Sequence, residues 1–180
     1  MNKINFRKAT LGDIKDIMKI EKDSFDNNII EQEHVFKERI RIFNDGFLVA
    51  TLNNKVIGYI CSELWNFNDD LNIDAFRLGH SISECHINNG NELYISSMGL
   101  LKEYRGFGYG SNMFNFLINK HKSNSNKIKS VILLVSYEFK KAKQMYEKQG
   151  FRELFEVKSA FRFNSNNVQS GLVMRKILWS

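Results

Sequence analysis

The chain has 180 residues and a net charge of +6, and 43% of its residues are hydrophobic. This length and hydrophobic content predict one folded domain over residues 1–180 and exclude a disordered chain. Two cysteines, Cys61 and Cys85, imply no disulfide framework, so we expect a cytoplasmic location. No stretch of about 18 apolar residues occurs and no signal-peptide core opens the chain, so no membrane span is expected. The basic charge would suit nucleic acid, an acidic protein or a polyanionic cofactor, but codon usage explains a Lys-rich chain equally well, so charge alone decides nothing.

The first third of the chain predicts a strand, two helices and a hairpin. Apolar residues at helical spacing predict the helices, and Thr10 with Asp13 three residues later resembles a helix-capping pair. Asn53 and Asn54 form a two-residue turn of the kind that joins hairpin strands. The predicted elements are a strand at 4–9, helices at 11–25 and 30–43, and hairpin strands at 47–52 and 55–60.

A long polar segment separates this part from the rest of the chain. Residues 66–91 contain many Asn, Asp and Gly, and long loops of this kind tend to be functional or mobile. Beyond it, the apolar run 131–135 predicts a strand buried on both faces, and Gly150 predicts a helix end. The order β-α-α-β-β-β-α-β-α-β-β indicates an α/β protein. The predicted elements here are a strand at 92–101, a helix at 108–121, a loop at 122–129, a strand at 131–135, a helix at 139–148, and strands at 151–163 and 168–178.

The segment from Arg105 to Gly110 carries the strongest functional signal, because three alternate glycines stand between a predicted strand and a helix. Glycines let main-chain N–H groups approach an anion closely, and the helix start adds free N–H groups and a positive dipole. This pattern predicts a phosphate-binding loop. A tight strand-to-helix turn without a ligand is the alternative interpretation.

Two other nucleotide-binding motifs fit the segment less well. A Walker loop requires Gly-Lys-Ser/Thr, whereas Ser111 follows Gly110 directly here. A dinucleotide fingerprint requires G-x-G-x-x-G, whereas this segment reads G-x-G-x-G. Glu138 follows the next strand, where a ribose-binding acid would be expected, so this second interpretation stays open.

Residues 94–110 resemble the central motif of the Gcn5-related N-acetyltransferases (GNAT), in which Arg/Gln-x-x-Gly-x-Gly/Ala follows a strand. Arg105, Gly108 and Gly110 match that pattern. Residues 142–151 are similar to the family's second motif, a helix that ends in Tyr-x-x-x-Gly-Phe. The order of elements also resembles the family's over nearly the whole chain, closest to the ribosomal-protein-alanine acetyltransferase-like group. The resemblance implies an enzyme with an α/β fold whose mixed, mostly antiparallel central sheet is flanked by helices.

The resemblance also implies a donor, acetyl-CoA, and a set of residues that bind it. The pantetheine arm would run along the strand at Met98, Gly99 and Leu100 and pair with it like an added strand. A main-chain N–H near Leu100 would polarise the thioester carbonyl. The pyrophosphate would be bound by the main-chain amides of Arg105, Gly106, Phe107, Gly108, Tyr109, Gly110 and Ser111.

The resemblance implies direct attack by an amine, so neither a cysteine nucleophile nor a metal is expected. Glu92, at the start of the central strand, is the first candidate for the base that takes the amine's proton, and His86 is the second. Tyr146 resembles the family tyrosine that protonates the departing thiolate. In the ribosomal alanine acetyltransferases a Glu and an Asn stand where this chain has Leu134 and Phe139, so that group's substrate assignment does not carry over.

The resulting prediction is transfer of an acetyl group to a primary amine, on a protein N-terminus or a small molecule. A non-catalytic acyl-CoA-binding module of the same fold is the alternative, because Leu134 replaces the usual Glu. Nucleic acid is not expected as a partner, since the chain lacks basic stripes interleaved with aromatic residues. Specificity is expected in the early helices, the late hairpin and the locally acidic segment 66–91. A homodimer is left open.

Overall fold

The computed structural model describes residues 4–124 and 127–178, and strands form its centre. The strands are β1 (Asn5–Lys8), β2 (Phe47–Leu52), β3 (Lys55–Trp65), β4 (Glu92–Leu100), β5 (Ser130–Ser136), β6 (Arg152–Arg162) and β7 (Val168–Ile177). They build one seven-stranded sheet in the order β1-β2-β3-β4-β5-β7-β6. Neighbouring strands are antiparallel except β4 and β5, which are parallel. The predicted mixed, mostly antiparallel sheet is confirmed.

Helices flank this sheet and follow the predicted order, except that a short unpredicted helix lies between the third and fourth strands. They are α1 (Ile14–Ser24), α2 (Glu33–Ile42), α3 (Ile82–Cys85), α4 (Tyr109–Asn124) and α5 (Lys140–Lys148). Gly150, the second residue after α5, has a φ of +91°, as expected for a glycine that ends a helix. Residues 125–126 of the predicted loop, and the chain ends at 1–3 and 179–180, lie outside the described residues. None of the helices in the described ranges is both long and apolar enough to cross a membrane.

The structure differs from the sequence prediction in two regions next to the sheet. Strand β3 was predicted to end at Ile60 but continues to Trp65, because the polar residues beyond Ile60 have buried partners. Ser62 donates to the Gly46 carbonyl at 2.9 Å, and the Glu63 carboxylate lies 2.7 Å from a histidine ring. The segment 66–91 is more ordered than predicted, since it contains α3 and buries apolar side chains against the sheet.

Separate hydrophobic clusters cover the two faces of the sheet. Alternate residues of β2 show this division, because successive strand residues point to opposite faces. Leu48 and Ala50 pack into the core that contains α4 and α5. Phe47 and Val49 pack into the core that contains α1 and α2. The protein is therefore layered, with helices covering both faces of the sheet.

Strands β4 and β5 diverge partway along the sheet. Their parallel pairing covers only Glu92–Ile95 on β4, opposite residues 130–133 on β5. Beyond Ile95, β4 pairs with β3 alone as far as Leu100. The main-chain edge of β4 that faced β5 is therefore open over its second half, and a cleft forms between the two strands.

Candidate active site

The cleft between the diverging strands β4 and β5 has a volume of about 1320 Å³. Its walls come from several elements of the fold. The second half of β4 forms one wall, and β5 with α5 forms the opposite one. The glycine-rich loop before α4 and the C-terminal end of α1 with the segment after it also line the cleft.

The glycine-rich loop has the geometry that an anion-binding loop requires. Gly106 and Gly108 have φ values of +87° and +80°, which L side chains rarely adopt. The first hydrogen bond into α4 runs from the Asn112 N–H to the Gly108 carbonyl at 3.0 Å. The N–H groups from Gly108 to Ser111 therefore precede the helical hydrogen bonds and have no partner within the helix. A side chain carbon added at Gly106, Gly108 or Gly110 would meet nothing within 4 Å, so the space in front of the loop is open.

The Arg105 side chain supports this loop from behind. Its Nε donates to the Leu100 carbonyl at 2.8 Å, and its terminal nitrogen donates to the Ser24 hydroxyl at 3.1 Å. The guanidinium thus links the loop to the end of β4 and to α1. Arg105 contributes its main chain to the loop, while its side chain holds the loop in position against two other elements.

The open edge of β4 presents main-chain groups to the cleft. The Leu101 N–H bonds the Ile57 carbonyl at 2.9 Å and so points toward β3. Because main-chain groups alternate along a strand, those of Leu100 and Met98 point away from β3, into the cleft. Gly99 lies between them, and a side chain carbon there would come within 2.9 Å of Ile20 on α1. Glycine at this position lets α1 pack closely against the strand that lines the cleft.

This combination of a split sheet, an open strand edge and a glycine loop at a helix start agrees with the comparisons with known proteins. A family model described as the acetyltransferase (GNAT) family matches residues 14–151. The chain belongs to the GNAT family. It is thus an acetyltransferase of that family, as its two motifs predict.

Relatives and solved structures extend this result over most of the chain. An N-alpha-acetyltransferase from Sulfolobus acidocaldarius is 28% identical over 156 residues, which cover 84% of this chain and 83% of that protein. The loading GNATL domain of CurA from Lyngbya majuscula shares the fold, with a TM-score of 0.82, 13% identity and 98% coverage of both chains. Naa50 from Arabidopsis thaliana, solved with the bisubstrate analogue CoA-Ac-MVNAL, has a TM-score of 0.70 and 17% identity, with 96% of this chain and 97% of that chain covered. Ribosomal-protein-alanine N-acetyltransferases are also among the structures with this fold.

Tyr146 is the residue of this GNAT protein that the sequence predicts as the acid for the departing thiolate. It lines the cleft from α5, and its ring packs against Phe114 and Phe151 at centroid distances of 5.5 and 5.7 Å. Burial raises the pKa of the Tyr146 hydroxyl above its ordinary value, so the hydroxyl keeps its proton at neutral pH. A protonated phenol at the cleft wall can donate to an anionic sulfur.

Glu92, the first predicted base, is not in the cleft. It lies fully buried at the end of β4 remote from the glycine loop, before the strands diverge. Its Oε1 accepts from the Ser130 hydroxyl at 2.6 Å and from the Arg175 Nε at 2.8 Å. Burial raises the pKa of Glu92, and Ser130 and Arg175 oppose that rise. The geometry argues against the prediction that Glu92 is the base, because its carboxylate already bonds two neighbours and cannot reach a substrate in the cleft.

Breaking the buried Arg175–Glu92 pair should destabilise the fold. We expect Arg175→Met to cost about 3–5 kcal/mol, because it leaves the carboxylate of Glu92 buried without a countercharge. Chemical denaturation would measure the loss. Arg152→Met, which removes an exposed arginine from the neighbouring strand β6, is the matched control and should change stability by about 0.5 kcal/mol or less. A cost below about 1 kcal/mol at Arg175 would show that the pair is not important for folding.

His86, the second predicted base, also lies outside the cleft. Its Nδ1 accepts the Leu64 N–H at 3.1 Å, and its ring stacks on Phe43 at 4.5 Å. Burial lowers its pKa. His86 therefore connects the end of the segment 66–91 to β3, and the geometry argues against a role in proton transfer from substrate.

Glu21 on α1, which the sequence pattern did not single out, is one of the carboxylates that line the cleft, with Glu31 and Glu138. Glu21 is 1% exposed and lines the cleft together with Glu31. Its Oε1 accepts the Glu31 N–H at 3.0 Å, and its Oε2 accepts the Tyr59 hydroxyl. Burial raises the pKa of Glu21 to about 7, although its hydrogen bonds to Tyr59 and to the Glu31 main chain oppose the rise. A carboxylate that titrates near neutral pH is suited to general base catalysis.

A hydrogen-bonded chain connects Glu21 to the cleft surface. The Tyr59 hydroxyl lies 2.8 Å from the Ser97 hydroxyl on β4. Because Tyr59 donates to Glu21, Ser97 is the donor in the second bond, and the lone pairs of its oxygen are left to accept another proton. Glu31 is held beside this chain by a two-point ion pair with the buried Arg39, at 2.5 and 2.7 Å.

A sequence signal for Glu21 exists in the pattern of α1. Ile14 and Ile17 mark the buried face of this helix, and Glu21 continues the same face one turn later. An acid on the apolar face of an amphipathic helix requires a buried partner or a function. The partner, Tyr59, is 38 residues away in sequence, so only the fold shows that the two meet.

Aromatic side chains pack against one another at the wall of the cleft. Phe139, at the position of the missing family Asn, packs edge-on against Phe25 after α1, with ring centroids 5.6 Å apart. It also contacts Phe161 on β6 and Phe163 at the β6–β7 hairpin. The Asn28 side chain donates to the Phe163 carbonyl and so joins the segment after α1 to the hairpin.

The acidic segment 66–91 contributes less to the cleft than predicted. Its acidic residues, Asp69, Asp70, Asp74 and Glu84, do not line the cleft, and Asp69 pairs with Arg175 on β7 at 3.1 Å. Leu78 is the residue of this segment that reaches the cleft wall. The carboxylates that do line the cleft are Glu21 and Glu31, from the α1–α2 region, and Glu138 after β5.

Proposed function

We propose that this GNAT protein transfers the acetyl group of acetyl-CoA to the α-amine of a protein or peptide N-terminus. The observation that carries the proposal is that Glu21, with a pKa of about 7, lines the same cleft as the glycine loop. An α-amine has a pKa of about 8, whereas a lysine side chain has about 10.4, so a base of this strength suits the α-amine. The relative from Sulfolobus acidocaldarius carries the same activity in its name.

The donor end of the cleft fits a coenzyme A thioester. The free N–H groups from Gly108 to Ser111 are suited to bind the diphosphate, and no side chain blocks the approach. The main-chain groups of Met98 are suited to pair with the amides of the pantetheine arm, whereas the Leu100 carbonyl already accepts from Arg105. When bound, the thioester supplies an activated acetyl group, and the N–H of Leu100 would polarise its carbonyl.

The acceptor end of the cleft provides a route for the amine's proton. In the proposed route the Ser97 oxygen accepts a proton from the incoming amine while Ser97 passes its own proton to Tyr59. Tyr59 in turn passes its proton to Glu21. Each hydroxyl ends with one proton, and Glu21 ends protonated. This chain replaces the family base that is absent at Leu134, since Leu134 lines the cleft without offering a proton acceptor.

The proposed acid, Tyr146, can be tested by a conservative change. Tyr146→Phe should lower kcat by roughly 100-fold, because the thiolate then leaves without a proton donor. The KM for acetyl-CoA should stay nearly constant, since phenylalanine keeps the ring packing against Phe114 and Phe151. Steady-state assays of thiol release would measure both constants. A kcat within about threefold of the parent enzyme would remove Tyr146 from the mechanism.

The acceptor class can be tested with peptides that differ in their first residue. Purified protein and acetyl-CoA should acetylate free α-amines, and fragment mass spectrometry would locate the acetyl group. The same peptides with a formylated N-terminus and an internal lysine are the control, and they should stay unmodified. Acetylation of lysine in the blocked peptides would contradict the proposed acceptor.

A second candidate function is suggested by Leu134, where the related acetyltransferases carry a glutamate. A protein that binds acyl-CoA without transferring the acyl group would satisfy the same donor-end geometry. It would bind acetyl-CoA but would not acetylate any of the peptides described above. Glu21 and its hydrogen-bonded chain favour the catalytic alternative, because a binding module has no need of a carboxylate that titrates near neutral pH.

A further inference from the structure

Three side chains of metal-ligand type converge beside β3, outside the cleft. They are Glu63 on β3, His80 in the segment 66–91, and Cys85 at the end of α3. One ligand atom from each lies within 4.8 Å of the other two. Glu63 is 0% exposed and His80 is 3% exposed, while Cys85 is partly exposed. A buried carboxylate, a buried imidazole and a partly exposed thiol thus lie close together.

The hydrogen bonds of His80 require either a proton or a metal ion at its second ring nitrogen. Its Nδ1 lies 2.9 Å from the Arg77 carbonyl, which can only accept, so Nδ1 carries a proton. In a neutral imidazole the other nitrogen, Nε2, then has a lone pair, and it faces Glu63 Oε1 at 2.7 Å. A lone pair facing a carboxylate oxygen is stable only if a proton or a metal ion lies between them.

Glu63 carries the second, independent sign of a missing ligand. Its Oε1 accepts from the Trp65 indole N–H at 2.9 Å as well as facing His80. Its Oε2 is buried and has no hydrogen-bond partner among the residues that the structure describes. A buried carboxylate oxygen without a partner is costly, so the position favours a bound cation. A proton on His80 would satisfy Oε1 and leave Oε2 unpaired.

We propose that Glu63, His80 and Cys85 bind a divalent transition-metal ion, with zinc preferred, through Glu63 Oε2, His80 Nε2 and Cys85 Sγ. Zinc binds this mixture of oxygen, nitrogen and sulfur ligands in a tetrahedron. The bond lengths of zinc place its ligand atoms roughly 3.3–3.6 Å from one another. The three ligand atoms now lie within 4.8 Å of one another, so the longest of these distances would have to shorten by about 1 Å. Cys85 loses its thiol proton to solvent on binding, and water takes the fourth position. The Arg77 carbonyl and the Trp65 N–H orient the histidine and the carboxylate from outside.

The site would have a structural role next to the acceptor end of the cleft. None of the three ligands lines the cleft, so the ion would not contact substrate. It would fasten the segment 66–91 to β3 at His80, two residues after Leu78, which does line the cleft. Between them, the Gly79 N–H donates to the Glu31 carboxylate at 2.9 Å. Metal binding would therefore hold the wall that carries Leu78 and Glu31.

Cobalt and zinc titrations of the full chain, stripped of metal by chelator dialysis, test the site without an activity assay. We expect one ion per chain and, with Co²⁺, the near-ultraviolet charge-transfer band of a cobalt–thiolate bond. Cys85→Ser should abolish that band and weaken zinc binding by at least about 100-fold, since loss of outer partners alone costs 10–100-fold. Cys61→Ser, which alters the other free thiol, is the matched control and should keep both the band and the affinity.

Two results would overturn the proposal. One is the absence of stoichiometric Zn²⁺ or Co²⁺ binding, which would assign the cation between His80 and Glu63 to a proton. The other is a thiolate band that persists in Cys85→Ser. His80→Gln should also lose the metal. If that buried variant fails to fold, the titration of Cys85→Ser, at a partly exposed position, is sufficient to test the proposal. Because the readout is metal binding, its failure leaves the proposed acetyl transfer untouched.

Discussion

Glu21→Gln should lower kcat by roughly 10²–10⁴-fold, the range expected for loss of a general base. Glutamine cannot take a proton through Tyr59, so the amine has no internal route for deprotonation. The parent enzyme should also show a kcat that rises as the pH passes about 7, because Glu21 becomes ionised there. That rise should be missing in the variant. The change also places an amide N–H₂ against a buried donor, so we expect a loss of stability of about 1–3 kcal/mol. Measured rates must therefore be corrected for the fraction of the protein that is folded.

Glu92→Gln is the matched control for this experiment. Glu92 is an equally buried, hydrogen-bonded glutamate that the sequence pattern favoured as the base, but it lies outside the cleft. Its replacement should reduce stability while leaving kcat and its pH dependence unchanged in the folded fraction. If Glu92→Gln abolishes turnover and Glu21→Gln does not, the proton route through Ser97 and Tyr59 is wrong.

Gly110→Val should raise the KM for acetyl-CoA by roughly 100-fold or more, with little loss of stability. A valine side chain at this position enters the open space in front of the loop and would displace at least two charge-assisted hydrogen bonds to the diphosphate. Gly110 is preferable to Gly106 and Gly108 for this test. Those two have positive φ values, so their replacement strains the main chain whatever the ligand does.

Asn119→Val is the matched control for Gly110→Val, because it adds a branched side chain on the exposed face of the same helix, α4. Its KM for acetyl-CoA should equal that of the parent protein. Thermal unfolding should show both variants folded, since valine is slightly better than glycine inside a helix. An unchanged KM in a folded Gly110→Val would place the diphosphate somewhere other than this loop.

The sequence could predict the donor end of the site because its determinants are local. Three glycines between a strand and a helix predict an anion loop within six consecutive residues, and the loop has the φ values that only glycine adopts readily. The turn at Asn53 and Asn54 could likewise be predicted from two adjacent residues, and both have positive φ values. Helix and strand order is likewise contained in short-range periodicity.

The acceptor end could not be predicted because its determinants are non-local. The Glu21 pKa depends on burial by β3 and on the Tyr59 hydroxyl, and neither is visible in the periodicity of α1. Glu92 stands at a plausible sequence position, but the strands diverge only after Ile95, which leaves it beneath the cleft. His86 and the acidic segment 66–91 were misplaced for a related reason, since buried Phe76 and Ile82 hold that segment against the sheet.

A calorimetric comparison of acetyl-CoA with S-acetyl-pantetheine tests most directly whether the glycine loop binds the diphosphate of the donor. Both molecules carry the thioester, but only acetyl-CoA carries the diphosphate that the N–H groups from Gly108 to Ser111 would bind. We predict one acetyl-CoA per chain and an affinity for the shorter thioester that is weaker by roughly 100-fold or more. Equal affinity for the two, or no heat with either, would contradict the account.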